Sequence, residues 1–326
     1  MNTSDFTARL ATGGLLILDG ATGTELTRRG VDTGLPLWSA GALIHAPDVV
    51  RTIHSDYVRA GADIITTNTF RTHRRNLAPA GLADRARELT HLAVRLAREA
   101  IRKSSVASDR TIYVAGSMSP LEDCYSPNLV PPDDPLRAEH REMARHLAEA
   151  GCDVLLVETM NTIREAVIAT EAAAATGLPV CVSFVAGPNG RAPNHLPQDE
   201  AEYVKLEAEE MLLLSGESIE QAVEAVRAIG PAGVMVNCVP FHLVERAFDR
   251  LRSATGGPVG LYANVGHADD RVGWVLTDDV QPAAYARQAV RWRKSGASII
   301  GGCCGTTPDH IAALYAALRP TPGQGK

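Results

Sequence analysis

The chain reads as an α/β protein of a single domain, a (β/α)8 TIM barrel with an extra segment after its fifth strand. Three observations carry that expectation. Eight short apolar runs alternate with eight amphipathic stretches of helical period across 326 residues. The return from helix to strand repeats a short step: Ala60-Gly61-Ala62-Asp63, Ala150-Gly151-Cys152-Asp153 and Ser295-Gly296-Ala297-Ser298. In each, glycine ends a helix and the next strand begins at once. No linker splits the chain, and its length suits one barrel. A doubly wound sheet shares the alternation and is the weaker alternative.

In chain order, the strands are expected at 15–19, 63–67, 111–115, 153–158, 179–184, 233–237, 258–263 and 298–301. Each is a short run of apolar, largely β-branched residues, such as Ile64-Ile65 or Val154-Leu155-Leu156-Val157. Helices are expected at 46–60, 82–103, 135–150, 162–176, 218–229, 243–254, 282–294 and 308–318. Several of them start at or beside proline, and Gly61, Gly151, Gly177, Gly230 and Gly296 stop five. Between the fifth strand and the Ser215-Gly216-Glu217-Ser218 helix start lies an insertion, about 191–214. Its part 197–214 is acidic and helix-compatible, with Tyr203, Val204, Leu206, Met211, Leu213 and Leu214 as apolar anchors.

Composition excludes several classes. A formal net charge of −6 argues against a nucleic-acid surface, which needs a basic stripe. No apolar run approaches the roughly 18–20 residues that cross a bilayer. Residues 1–13 are polar and carry no secretory apolar core, so a cytoplasmic protein is expected. Six cysteines over this length do not make a disulfide framework and fit metal or catalytic thiols better. No dinucleotide or ATP loop is visible. Small-molecule partners are expected, and a homo-oligomer is compatible with the chain.

In such barrels the chemistry lies where strands end. There the chain places Asp19-Gly20-Ala21-Thr22-Gly23-Thr24, Thr67-Asn68-Thr69-Phe70, Glu158-Thr159, Asn237-Cys238, Asn264-Val265-Gly266 and Gly301-Gly302-Cys303-Cys304-Gly305. The adjacent cysteines are the most informative. A disulfide needs a separation and torsion that neighbours rarely reach, whereas flanking glycines let two sulfurs aim at one point. Cys238 follows the sixth strand and Cys303-Cys304 the eighth, with one strand between them, so three thiolates are expected to converge. Three protein ligands with an open fourth position describe a catalytic Zn2+ site. A lone cysteine is usually a small buried hydrophobe, and that reading suits Cys152 and Cys181 at strand starts. Cys124 follows the third strand with no assigned role. An open three-thiolate zinc binds a substrate thiol and keeps it anionic, which suits alkyl transfer to sulfur.

Together these motifs, in order and over nearly the whole chain, resemble the homocysteine S-methyltransferases. That family includes S-methylmethionine- and betaine-dependent enzymes and the homocysteine module of cobalamin-dependent methionine synthase. The resemblance implies a zinc-bearing barrel that passes a methyl group from a sulfonium or ammonium donor to homocysteine, giving methionine. S-methylmethionine or S-adenosylmethionine is the favoured donor. It implies Cys238, Cys303 and Cys304 as zinc ligands, and Asp19 and Glu158 as acids holding the substrate ammonium. The Gly20 amide would lie near the substrate carboxylate, and Asn264 would orient substrate. Trp38 and Phe70 are the aromatic candidates for the cationic donor. No separate catalytic residue is expected beyond the zinc-activated substrate thiol.

Asp19 could instead cap its own loop, and Glu158 the helix at Thr162. The insertion, His267 after Asn264-Val265-Gly266, and the basic run Arg71-Thr72-His73-Arg74-Arg75 depart from the family pattern. The insertion suggests a lid or, equally, an oligomer contact. Arg71 onward could meet a carboxylate of substrate or donor on the rim, as a donor bearing an extra acid would require, or simply start a solvated helix. Other readings stay open: another small thiol or selenol as acceptor, a betaine-type donor, or a zinc-binding barrel without methyltransferase activity. A metallohydrolase would want a His-x-His pair that Leu18-Asp19-Gly20-Ala21 does not offer, and a phosphate-binding barrel leaves the cysteine pair unexplained.

Overall fold

The computed structural model describes residues 3–104, 110–197, 205–269, 273–277 and 279–319. Among these residues twelve strands are formed: β1 (Leu16–Ile17), β2 (Ile64–Thr66), β3 (Tyr113–Met118), β4 (Val154–Met160), β5 (Val180–Phe184), β6 (Ala186–Pro188), β7 (Met211–Leu213), β8 (Gly233–Pro240), β9 (Val259–Asn264), β10 (His267–Asp269), β11 (Gly273–Val275) and β12 (Ala297–Gly302). Eight of them make one parallel sheet in the order β1-β12-β9-β8-β5-β4-β3-β2. A parallel bridge between Leu18 and Ile64 joins its two ends. The result is a (β/α)8 barrel, and each barrel strand overlaps its expected run.

The helices follow the strands as expected. Helices Pro282–Lys294 and Pro308–Leu318 match to the residue. The five stop glycines all adopt the left-handed backbone that frees the chain to turn back into a strand. Expected helix 82–103 splits into a short 3-10 turn, Ala83–Arg85, and the helix Ala86–Lys103.

Two layers of apolar packing result. Between strands and helices sits a large core that includes Ile53, Tyr57, Ile65, Leu155, Val182, Phe248 and Trp292. Inside the barrel, Leu16, Leu18, Ile64, Tyr113, Leu156, Met235, Tyr262 and Ile299 fill the lumen. The helix Thr3–Ala11, for which no expectation was stated, closes the lower end, with Phe6 and Leu10 buried in the same interior cluster. Phe6 stacks edge-on against Tyr113 at 5.1 Å.

Also on this lower side, Asp63 is 1% exposed and gathers distant parts of the chain. It accepts from the Ile17 amide at 2.9 Å. It also meets Arg110 at 3.0 Å, Arg319 at 2.6 Å and Arg9 at 3.7 Å.

The insertion departs from expectation. Met211–Leu213 is not helical but forms β7, antiparallel to β6, with a 3-10 turn at Leu206–Ala208 before it. Pairing with Ala186–Pro188 buries Met211 and Leu213 in the main core, which overrides the local helical compatibility. Tyr203 and Val204 lie outside the described residues. A second hairpin, β10–β11, rises from the end of β9 and carries His267 opposite Val275.

Candidate metal and substrate site

β8 and β12 flank β9, so groups at their carboxyl ends face one another across a single strand. The Sγ atoms of Cys238, Cys303 and Cys304 all lie within 4.8 Å of one another, and Cys303 Sγ is 3.6 Å from Cys238 Sγ. The pair sits on the turn after β12. The Cys303 amide donates to the Ala263 carbonyl at 2.9 Å, and the Val265 amide donates to the Cys304 carbonyl at 2.8 Å. These bonds lash the turn to the end of β9. Gly305 has φ +80, and any Cβ there would run into the Val265 carbonyl oxygen. Glycine is therefore required for the turn to fold under.

The three thiols share a charge. Sulfhydryls of Cys303 and Cys304 hold Cys238 well below the usual thiol range, and Tyr125 and Asn264 add to that effect. The Tyr125 hydroxyl lies 3.3 Å from Cys238 Sγ. The same interactions push Cys303 and Cys304 upward, because one anion among three close sulfurs disfavours a second. A soft divalent cation at their focus would remove that penalty. Three thiolates suit zinc by ligand type, and a fourth ligand would then be exchangeable.

Cys238 reaches this focus through a bend. Its φ is +57, and Thr159 at the end of β4 has φ +61. Both lie where strand register shifts, between Asn237 and Pro240 and between Val157 and Met160. Bulges of this kind re-aim side chains at sites, at a local cost on the order of 1–2 kcal/mol for a non-glycine residue. Asn237 holds both bends. Its Oδ1 accepts from the Thr159 amide at 3.1 Å and from Ser183 Oγ at 2.7 Å, and its Nδ2 donates to Thr159 Oγ1 at 2.8 Å.

The two acids line the same cavity, from the ends of β1 and β4. Asp19 does not cap its own loop. Its Oδ2 accepts from the Thr66 amide and its Oδ1 from Thr66 Oγ1, each at 2.8 Å. Nor does Glu158 cap the following helix, because Thr162 does so itself by accepting from the Glu165 amide. Glu158 turns inward to accept from Ser117 Oγ and, at 3.1 Å, from Tyr262 OH. Burial pushes Glu158 up to about 7. Burial raises Asp19 well above the carboxylate range, and the nearby Glu158 charge adds to it. Two buried acids that repel each other make a site short of one cation.

The cavity between acids and thiols is about 690 Å³ and is lined also by Gly20, Trp38, Phe70, Arg71, Cys124, Tyr125 and Trp274. Trp38 and Phe70 meet edge-to-face at 5.7 Å. Trp274 donates from Nε1 to the Val265 carbonyl at 3.0 Å. Asn264 is not part of this lining. It is buried, its amide lacks an ordinary hydrogen bond, and it presents to Cys238 instead. Asn68 supports a loop by donating to the Ser39 carbonyl at 2.8 Å. Phe184, Cys152 and Cys181 are packing residues in the interior. From the insertion, Ala192 and Leu214 pack against Cys238, and Asn194 reaches the cavity.

Sequence reasoning missed the supporting residues. Thr66, Ser117 and Tyr262 orient the acids, and Asn237 was seen only as the residue before a cysteine. Ser117 had a signal, its place at the strand end Gly116-Ser117-Met118-Ser119-Pro120, but no role followed from it. Tyr262 had none, since an aromatic in a strand reads as core. The loop carrying Cys124 and Tyr125 rests on a buried polar set. Glu165 Oε1 accepts from the Leu121 amide at 2.8 Å and lies 3.0 Å from His140 Nε2, while His73 Nε2 lies 2.9 Å from Ser119 Oγ.

Comparison with known proteins gives a consistent relationship. A family model described as homocysteine S-methyltransferase matches residues 16–318. Homocysteine S-methyltransferase 3 of Zea mays is 30% identical over 328 residues, covering 95% of this chain and 91% of that protein. Selenocysteine Se-methyltransferase of Brassica oleracea var. italica is 28% identical, covering 94% of this chain and 90% of that protein. The crystal structure of the homocysteine methyltransferase MmuM from Escherichia coli, in its metallated form, aligns with a TM-score of 0.74. It is 29% identical and covers 93% of this chain and 96% of that one. With the match spanning the barrel from first strand to last helix, and three thiols meeting at its mouth, the chain belongs to the homocysteine S-methyltransferase family of enzymes.

Proposed function

We propose that this protein transfers a methyl group from a sulfonium donor to the thiol of homocysteine, with Zn2+ held by Cys238, Cys303 and Cys304. The observation that carries the reading is the shared cavity: three thiols at one focus beside two buried acids that lack a cation. Zinc, when bound, lowers the pKa of a coordinated thiol and keeps a thiolate available at neutral pH.

The chain's own residues do the rest. Asp19 and Glu158 pair with the substrate ammonium, whose charge relieves their mutual repulsion. Thr66, Ser117 and Tyr262 fix both carboxylates, so little ordering is left to be done on binding. The Gly20 amide, which lines the cavity beside Asp19, would donate to the substrate carboxylate. Trp38 and Phe70 offer ring faces to the donor cation. Ala192 and Leu214 wall off Cys238, a role for the insertion closer to a lid than to an oligomer contact. In the transfer, the thiolate electron pair forms the new S–CH3 bond. The donor C–S bond breaks, its pair stays on the donor sulfur, and the positive charge is discharged there. The thiol proton is released to solvent before the transfer.

S-methylmethionine and S-adenosylmethionine are the donors favoured by this reading. Likeness to a selenocysteine methyltransferase keeps a selenol acceptor as the second reading. Zinc-loaded protein incubated with homocysteine or selenocysteine and a donor panel, followed by mass spectrometry, tests both. Methionine is the expected product; no methylated product with any pair would refute the function.

A further inference from the structure

Of the basic run after β2, two arginines are accounted for by carboxylates. Arg74 meets Asp84 at 2.9 Å and Glu142 at 3.4 Å. Arg75 meets Glu139 at 2.5 Å and Glu122 at 3.0 Å. Arg71 differs. It is half-buried and lines the cavity. Among the described residues, none gives its guanidinium a hydrogen bond or ion pair. It is also the one cationic side chain among the described residues lining that cavity. The other charged groups there already have partners. Asp19 and Glu158 are bonded as above, Glu122 is bound to Arg75, and Asp123 accepts from Ser126 Oγ at 2.6 Å.

A guanidinium withdrawn from water without an acceptor forgoes strong charge-assisted bonds, and its planar fork matches a carboxylate. Its place says which carboxylate. Arg71 directly follows Phe70, half of the aromatic pair, and its charge is felt at Cys124 on the loop after β3. The two acids that suit an amino-acid ammonium lie elsewhere, at the ends of β1 and β4. A methyl donor of this chemistry is itself a cation. Beside Arg71 a plain methyl cation would be repelled, whereas a zwitterion would place its positive centre on the rings and its acid on the guanidinium.

We propose that Arg71 is a specificity-determining residue that binds a carboxylate of the methyl donor and discriminates against methyl cations lacking one. The proposal rests on the methyl-transfer reading above. The test compares two small probes, dimethylsulfonioacetate and trimethylsulfonium, which differ in having or lacking a carboxylate. Calorimetric titration of the full-length protein, metal-free and zinc-loaded, reads binding without turnover. The wild type is expected to bind the carboxylated probe at least about tenfold more tightly. Arg71→Met should erase that preference and Arg71→Lys should restore part of it, while homocysteine affinity shifts by less than about threefold. Loss of homocysteine binding with the donor preference intact would overturn the assignment, as would an unchanged preference in Arg71→Met. If neither sulfonium binds the wild type, the sulfonium-donor reading itself fails. Equal binding of both probes by wild type and variant removes only the role of Arg71.

Discussion

Asn237 and Thr159 are joined twice: one amide group accepts from the Thr159 backbone and donates to its hydroxyl. Thr159 is itself at a left-handed bend, and Asn237 immediately precedes the other, at Cys238. A single buried side chain therefore holds the strained ends of β4 and β8 in register. Asn237→Ala leaves the Thr159 amide without its partner and should cost about 2–4 kcal/mol of stability, measured by urea unfolding. Zinc affinity should fall at least about tenfold, because the aim of Cys238 is lost. An unchanged zinc titration curve in a folded variant would show that the clamp does not position the cysteine.

The turn that carries the paired sulfurs gives the simplest metal prediction. Cys303→Ser or Cys304→Ser replaces a soft ligand with a hard hydroxyl. Zinc retained after dialysis should drop from near stoichiometric to below about one tenth per chain, and turnover should fall with it. Elemental analysis beside a methionine assay checks this. Full activity in either variant would contradict the ligand set.

Glu158 should show opposing effects of binding and folding. Burial pushes its carboxyl up to about 7 in the folded protein, from 4.5 for a free glutamate. Between those values the native state keeps a proton that the unfolded chain has lost, so stability falls as pH rises through that window. The change across that window amounts to about 3 kcal/mol, most of it removed in Glu158→Gln. The same variant should raise the homocysteine KM about 10–100-fold, through loss of a charge-assisted contact. Unfolding of the metal-free protein from pH 4.5 to 7, with steady-state kinetics, reads both. A flat KM would remove Glu158 from ammonium binding.

His54 should act in the opposite direction. It is fully buried, neither ring nitrogen has a hydrogen-bond partner, and burial pushes it down to about 4. The unfolded chain takes up a proton near pH 6.5 that the native state refuses until about 4, so this contribution is lost on acidification. His54→Leu should be less sensitive by about 2 kcal/mol between pH 7 and 5. Parallel stability curves for wild type and variant across that range would show that His54 does not contribute.

What could be read in advance followed from local chemistry. Helices Pro282–Lys294 and Pro308–Leu318 begin with proline, and the former ends just before a glycine, so their limits were legible. The cysteine focus was legible because strand count alone places residues 238 and 303 on alternate strands. Helix Thr3–Ala11 had only a faint signal in Phe6 and Leu10, one turn apart. β7 was misread because Met211-Leu212-Leu213 suits either state and only its distant partner β6 decides. The hydroxyls that hold Glu158 arrive from β3 and β9, a relationship no spacing in one sequence encodes.

Asp63 has a consequence for how the fold comes apart. A sheet closed into a cylinder must be stitched where its two edge strands, here β1 and β2, meet, and an ordinary stitch would be the first to unzip. Here a single buried carboxylate is gripped by arginines 9, 110 and 319 and by the backbone of residue 17. Peeling either margin away strands an ion in a dry interior, so both margins should let go together, in one all-or-none event.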